Sequence, residues 1–261
     1  MTFKNLKLEF VEPGIQIVKI SRPAALNALN GETLQELRDA LKAESTNPKT
    51  RVVILTGDGE KSFIAGADIT EMKGKSGAEG VAFAQLGHEV TKFLELMPKP
   101  TIAAVNGFAL GGGTEMAISC DFIYASDKAV FGQPEVGLGI IPGFGATIRL
   151  AKFVGLPRAK ELIFSGRRIK ADEALRMGLA NAVFPAAELM PKVLEIAKTI
   201  CAQSTRAVSK SKLLMNEFSE TVGLNTKLDA EAMAFGGLFG SHDQREGMSA
   251  FVEKRQPKFE G

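Results

Sequence analysis

Three adjacent glycines, Gly111, Gly112 and Gly113, follow a short apolar run, Ile102 to Val105, and precede a segment suited to a helix. No other stretch restricts the fold as much. With no Cβ the backbone there turns tightly and approaches other segments closely. The helix that follows carries Glu115 in its first turn, where free N–H groups and the positive end of the dipole lie. Further on, Glu135 stands after Pro134 in the run Phe131-Gly-Gln-Pro-Glu-Val-Gly-Leu-Gly139. Two carboxylates are thus expected in apolar, glycine-lined surroundings.

Strand and helix signals recur on both sides of this juncture. Leu6, Leu8 and Phe10 alternate with Lys7 and Glu9, and Ile15 to Ile20 follow the Pro13-Gly14 turn, which predicts a β-hairpin. Asn30 is placed to N-cap a helix with Leu34, Leu37 and Leu41 on one face. Arg51 to Thr56 shows no alternation, as in a parallel strand buried on both faces. Ser62 to Asp68 begins a second round and leads into a loop, followed by a helix over Gly80 to Met97 and the strand at Ile102. After Glu115 come a strand at Phe122 to Ala125 and the Phe131 region. Helices over Ala146 to Val154 and Ala171 to Met177 and a strand at Asn181 to Phe184 follow. The recurrence predicts an α/β fold. From about Ala186 only helical spacing remains. Leu213, Leu214, Phe218, Met233, Phe235, Leu238, Phe239 and Phe251 are more apolar residues than so short a helical region can bury alone, so packing on another subunit is expected.

The 261 residues suffice for one large domain, with or without an appendage. A net charge of +2, with Lys and Arg mixed among Asp and Glu, offers no surface for nucleic acid. No apolar run approaches the roughly 20 residues of a membrane span. The N-terminal MTFKNLKLEFVEPG lacks secretory or transit character, so the chain reads as cytoplasmic, without a membrane partner. Cys120 and Cys201 have no CxxC spacing, and the histidines are His88 and His242, so no metal site is expected. No Gly-Lys-Ser/Thr follows the glycines, and Gly143-Phe-Gly145 lacks the third glycine of a dinucleotide fingerprint.

A carboxylate in an apolar pocket has its pKa raised by desolvation, and a second carboxylate nearby raises one of the two further. That suits general acid and base work near neutral pH. The glycine turn and a second bare turn, Ala65-Gly66-Ala67-Asp68, both present backbone N–H groups. Two such donors aimed at one point form an oxyanion hole, worth roughly 3 kcal/mol per donor in a transition state. The combination suits enolate chemistry beside a thioester carbonyl. Residue types alone leave another reading open, in which the glycines form a close-packing turn, Glu115 offsets a helix dipole and Glu135 caps or pairs.

At these residues the chain resembles the crotonase, or enoyl-CoA hydratase/isomerase, superfamily. The likeness runs through SRPAALNALN, SFIAGADITEM, PTIAAVNGFALGGGTEMAISCD, FGQPEVGLGIIPGFG, KADEALRMGLAN and EGMSAFVEKRQPKF, in that order. The resemblance implies an α/β, crotonase-like spiral of repeated ββα units over residues 1–195, holding the active site. It implies a helical trimerisation region over 196–261, in a homotrimer or a dimer of trimers. It also implies an acyl-CoA thioester substrate, coenzyme A being part of that substrate, and no separate cofactor. Carried over by position, the oxyanion-hole amides are those of Ala67 and Gly112. Ala65, Gly66, Asp68 and Ile69 border the CoA, whose adenine end lies near Ala24, Ala25 and Leu26. Lys254 and Phe259 are further CoA contacts by the same likeness.

Many superfamily members keep one catalytic acid or none, whereas this chain has glutamate at both positions used by the hydratases. The resemblance therefore implies hydration of short-chain trans-2-enoyl-CoA, crotonyl-CoA to 3-hydroxybutyryl-CoA. Glu115 would deprotonate the water that attacks C3, Glu135 would deliver a proton to C2, and the Gly143 amide would help hold the water. Where many hydratases read PGAGGTQRL, this chain reads PGFGATIRL, so Phe144, Ala146 and Ile148 are expected to shape the acyl pocket. Rival readings on the same scaffold are a Δ3,Δ2-enoyl-CoA isomerase, a thioester hydrolase and a non-catalytic RNA-binding homologue. The last would need a basic helix face. The helix at Gly31 to Leu41 instead carries Glu32, Glu36 and Asp39 against Arg38.

Overall fold

Strands β1 (Leu6–Val11) and β2 (Ile15–Ile20) form the expected hairpin, with Leu6 opposite Ile20 and Val11 opposite Ile15. The computed structural model describes residues 3–217 and 223–260, so Phe218, among the apolar residues named above, lies outside the described residues. The Asn30 side chain accepts from Thr33 N and starts helix α1 (Gly31–Thr46), whose Leu34, Leu37 and Leu41 are fully buried. An Asn30→Ala variant is expected to lose about 1 kcal/mol of unfolding free energy in a denaturant titration. An unchanged midpoint would mean that the cap does not start the helix.

Next come β3 (Val52–Gly57), buried along its whole length as a parallel strand should be, β4 (Ser62–Ile64), α2 (Ile69–Met72) and α3 (Gly77–Leu96). Helix α3 begins at Gly77 rather than Gly80 because Ser76 and Glu79 form a capping box, which apolar spacing does not reveal. Strands β5 (Thr101–Val105) and β6 (Phe108–Leu110) lead through the glycines into α4 (Gly112–Ala117). Then β7 (Phe122–Ser126) and β8 (Val130–Gly132) lead to α5 (Ala146–Val154) and α6 (Leu156–Ser165). Strand β9 (Arg168–Lys170), helix α7 (Ala171–Met177) and strand β10 (Ala182–Phe184) close the spiral.

Successive turns of the spiral add strands to two sheets at once. The larger has the order β1-β2-β3-β5-β7-β10, parallel from β2 onward, and the smaller has the order β4-β6-β8-β9, with β9 antiparallel. The smaller sheet is where sequence and structure part. Ser62 to Asp68 shows only a stretch that leads into a loop, and neither Phe108–Leu110 nor Arg168–Lys170 gives a strand pattern. Strands of three residues are too short to display a period of two. They exist because each turn delivers them to the same place, where they hydrogen-bond to one another. Helix α6 is also absent from the sequence reading.

One core lies between the sheets and helices α1, α3, α5 and α6, and includes Leu37, Leu55, Phe63, Ala103, Met116, Phe131 and Leu150. The other face of the large sheet carries Ile15, Ile17, Val52, Ile54 and Ile102. It is covered by helix α8 (Leu189–Cys201), whose Leu189, Val193, Ala197 and Cys201 are buried there. A division after residue 195 falls inside this helix. Helices α9 (Thr205–Glu217), α10 (Leu224–Gly236) and α11 (His242–Glu253) complete the C-terminal region. Met215, Met233, Phe235, Phe251 and Val252 are exposed there. Among the described residues no helix is long and apolar enough to cross a membrane.

Candidate active site

Gly111 ends β6 with φ at +49° and donates its N–H to Gly132 O, a conformation that glycine adopts without strain. A Cβ on Gly113 would lie 1.9 Å from Ile64 O, so α4 packs on β4 closely enough to exclude any side chain. This pins Glu115, only 2% exposed, at the floor of a cleft. Its Oε1 accepts from Phe144 N at 2.8 Å and Ala146 N at 2.9 Å. The donors gripping the carboxylate thus belong to the N-terminus of α5, not to Glu115's own helix. Glu115 is a first-turn acid of α4, as expected, but its hydrogen bonds are made with the start of α5. Burial pushes the Glu115 pKa up, while the amides of Phe144, Gly145 and Ala146 and the Arg149 guanidinium pull it partly back.

Glu135 opens a 3-10 turn, Glu135–Leu138, and is also buried. A Cβ on Gly111 would lie 2.6 Å from Glu135 Oε1, so the bare glycine leaves the space that this carboxylate fills. With its amide nitrogen toward Glu135, Gln133 donates to both carboxylate oxygens at 3.0 Å. Burial first, then the charge of Glu115, raises the Glu135 pKa to about 7. The two glutamates therefore act on each other electrostatically across the cleft.

The second bare turn lies against the Pro23–Leu26 loop. Leu29 forms a parallel bridge to Ala67: Leu29 N donates to Gly66 O and Asp68 N donates to Leu29 O. In that pattern Ala67's own N–H points away from Leu29, and no acceptor takes it among the described residues. Gly112 is the first residue of α4, so its N–H has no intrahelical acceptor. Leu26 and Asn27 have φ of 51° and 60°. The buried Asn27 holds that kink by donating to Asp58 O and Ser62 O and accepting from Arg22 N. Ala65 N donates to Leu26 O, which sets the loop containing Ala24, Ala25 and Leu26 beside the turn. Asp68 caps α2 and pairs with Arg22 at 3.0 Å, so its carboxylate serves the loop junction rather than facing the cleft.

These pieces line one cleft of about 1120 Å³ that contains Ala65, Gly66, Ala67, Ile69, Gly112, Glu115, Glu135 and Gly143. Phe144 forms part of its wall, with its ring 5.5 Å from that of Phe83. The ring fits because residue 87 is glycine: a Cβ there would meet it at 2.1 Å. Of the residues that the resemblance assigns to CoA, Ala24, Ala25, Leu26 and Asp68 lie in the loop and turn beside the cleft without lining it, and Lys254 and Phe259 lie apart from it. Lys254 ends α11 in a left-handed conformation, and Phe259 borders a separate cavity beside Cys120 and Lys212, near Gly247. The short segment after α11 folds back on its own helix, with Lys258 N donating to Glu246 and Glu260 N donating to Asp243. Sequence reasoning also missed Gln133, Asn27, Arg149 and the backbone amides that bind Glu115. The QPE wording contains the first of these; the amides carry no sequence signal.

Fold and site together define a class: a crotonase-like spiral whose cleft sets two buried glutamates beside two free backbone amides. The profile described as "Enoyl-CoA hydratase/isomerase" matches residues 11–261. The chain is 51% identical over 261 residues to "Short-chain-enoyl-CoA hydratase" of Clostridium acetobutylicum, covering 100% of this chain and 98% of the relative. It is 48% identical over 259 residues to "Crotonyl-CoA hydratase" of Syntrophomonas wolfei, covering 99% of each. A crystal structure of enoyl-CoA hydratase from Bacillus anthracis superposes with a TM-score of 0.95 at 40% identity, covering 99% of this chain and 100% of that one. The chain belongs to the enoyl-CoA hydratase/isomerase family.

Proposed function

We propose that this chain is a short-chain enoyl-CoA hydratase, a hydro-lyase that adds water across the 2,3 double bond of crotonyl-CoA. The observation that carries this reading is the pair of buried carboxylates, both with raised pKa, beside two amides that have no acceptor among the described residues. In this mechanism the Ala67 and Gly112 N–H groups hold the thioester oxygen. Ionised Glu115 takes a proton from water as the water oxygen bonds to C3. The double-bond electrons move into the enolate, whose charge the two amides stabilise. Protonated Glu135 then gives its proton to C2. The pair begins and ends with one proton, and Gly143 lends its amide to the water.

Ala24 to Leu26, Ala65, Gly66 and Ile69 border the CoA in this reading, and no further cofactor is required. The exposed apolar residues of α9 to α11 support a homotrimer or a dimer of trimers, with residues 196–261 packing on neighbouring subunits. The chain works in the cytoplasm in this reading.

The test is loss of the ultraviolet absorbance of the conjugated thioester on mixing with crotonyl-CoA, run beside a C8 homologue and a 3-enoyl-CoA. Rapid loss with crotonyl-CoA, weaker with C8, is expected. No loss with either, but a gain from the 3-enoyl-CoA, would make the protein an isomerase.

Phe144 is 4% exposed and walls the acyl end of the cleft against Phe83 and Gly87. Phe144→Ala is expected to raise the C8-to-C4 ratio of kcat/KM by about 10-fold. Its stability cost is about 3 kcal/mol, read from the unfolding midpoint. An unchanged ratio in a folded variant would place the chain-length limit elsewhere.

A further inference from the structure

We propose that Arg149, seated on Glu95, is a positioning residue for hydration, holding the Phe144–Ala146 backbone in the shape that grips Glu115. This rests on Glu115 acting as the base. Arg149 is itself mostly buried, with 13% of its side chain exposed. Its Nη1 donates to Phe144 O at 3.0 Å, and its Nε and Nη2 donate to Glu95 Oε2 at 3.0 and 2.8 Å. The Phe144 carbonyl and the Gly145 N–H belong to one peptide unit and point in opposite directions. Fixing the oxygen on the Arg149 side therefore fixes the N–H on the Glu115 side. The Phe144 and Ala146 amides that bond Glu115 flank this unit.

Gly145 has φ at +114°, and a Cβ there would lie 2.1 Å from Arg149 Nη1. The guanidinium thus occupies the space that the glycine leaves. Glu95 is itself anchored, in the last turn of α3. The Glu95 carbonyl accepts from Asn216 Nδ2 at 2.7 Å, and Lys212 Nζ donates to the neighbouring Leu94 O at 3.0 Å. Both donors come from α9. The C-terminal region thus bears, through one turn of α3, on the backbone that orients the base. Arg149 lines no part of the cleft and acts through Glu115 alone.

The charged and titratable groups around Glu115 are Glu135 across the cleft, Arg149 behind the amides, Glu95 beyond Arg149 with Lys152 at 3.9 Å from it, and, in the cleft lining, His88 on α3 and Arg168 on β9. Arg149 favours the carboxylate form of Glu115. Removing the cation makes Glu115 easier to protonate, which moves the acid limb of kcat/KM to higher pH.

The test compares Arg149→Met, Arg149→Lys and Glu115→Gln with the parent protein on crotonyl-CoA across pH, with folding checked by thermal unfolding. Arg149→Met is expected to lose about 10- to 100-fold in kcat, as a misplaced catalytic group does. KM should stay within about threefold, and the acid limb should move upward. Arg149→Lys should return the limb towards its parent position yet keep a reduced kcat, because one ammonium cannot reproduce the fork between Phe144 O and Glu95. Parent-like kcat in Arg149→Met, or a loss with an unmoved limb, overturns the inference. If Arg149→Met does not fold, Arg149→Lys decides alone, and parent-like kcat there overturns it. An active Glu115→Gln removes the reading beneath it, whereas an inactive Glu115→Gln beside a normal Arg149→Met overturns this inference only.

Discussion

Glu115→Gln is expected to fold normally and to lose about three to four orders of magnitude in kcat on crotonyl-CoA. The substitution is nearly isosteric, and its amide oxygen can still accept from Phe144 N and Ala146 N. What it cannot do is take a proton. Stability should hold or rise. Folding raises the Glu115 pKa above its ordinary 4.5, so the ionised form is a cost to the native state from about that pH upward, and Gln does not carry it. The check is single-variant kinetics beside thermal unfolding. Near-full activity in a folded variant would remove Glu115 from the mechanism, and a collapse in Tm would show it to be a structural acid.

Glu135→Gln should cost about 1,000-fold by the same reasoning, and its pH profile is more telling than its size. The proposed active enzyme carries one proton on the pair, with Glu135 protonated and Glu115 ionised. Glu135, raised to about 7, loses that proton as pH rises through this value, so kcat/KM should fall above it. Below the acid limb the second proton binds and kcat/KM falls again. Hydration neither releases nor consumes a proton overall, so the reverse reaction should show the same bell. In Glu135→Gln the residual activity should keep the acid limb and lose the alkaline one. Profiles of kcat/KM in both directions from pH 5.5 to 9 test this, and an alkaline limb that persists near pH 7 would assign that proton to another group.

The sequence reading located the hairpin, the buried parallel strands, the helices with clear apolar spacing and caps, and the glycine turn. Each of these is a local property. Leu34, Leu37 and Leu41 announce their helix face wherever it packs, and an unbroken apolar run such as Val52 to Leu55 announces burial on both sides. The motifs also singled out Glu115, Glu135, Ala67 and Gly112, and the fold brings all four to one cleft.

Three things had to wait for the tertiary structure. The small sheet is built from strands of three residues whose pairing is entirely long-range, and nothing in Phe108-Ala-Leu or Arg168-Ile-Lys says so locally. Glu115's partners are backbone amides about 30 positions later in the chain, and a backbone amide has no letter in a sequence. Lys254 and Phe259 match a motif, yet their segment folds back on α11, away from the cleft. The sequence by itself determined the elements with local periodicity and, through its motifs, the two glutamates and the two bare turns, because residue type and local order are written in it. Which way those groups face, how far they are desolvated and what grips them came from the tertiary structure alone, because desolvation and hydrogen-bond geometry depend on segments that only folding brings together.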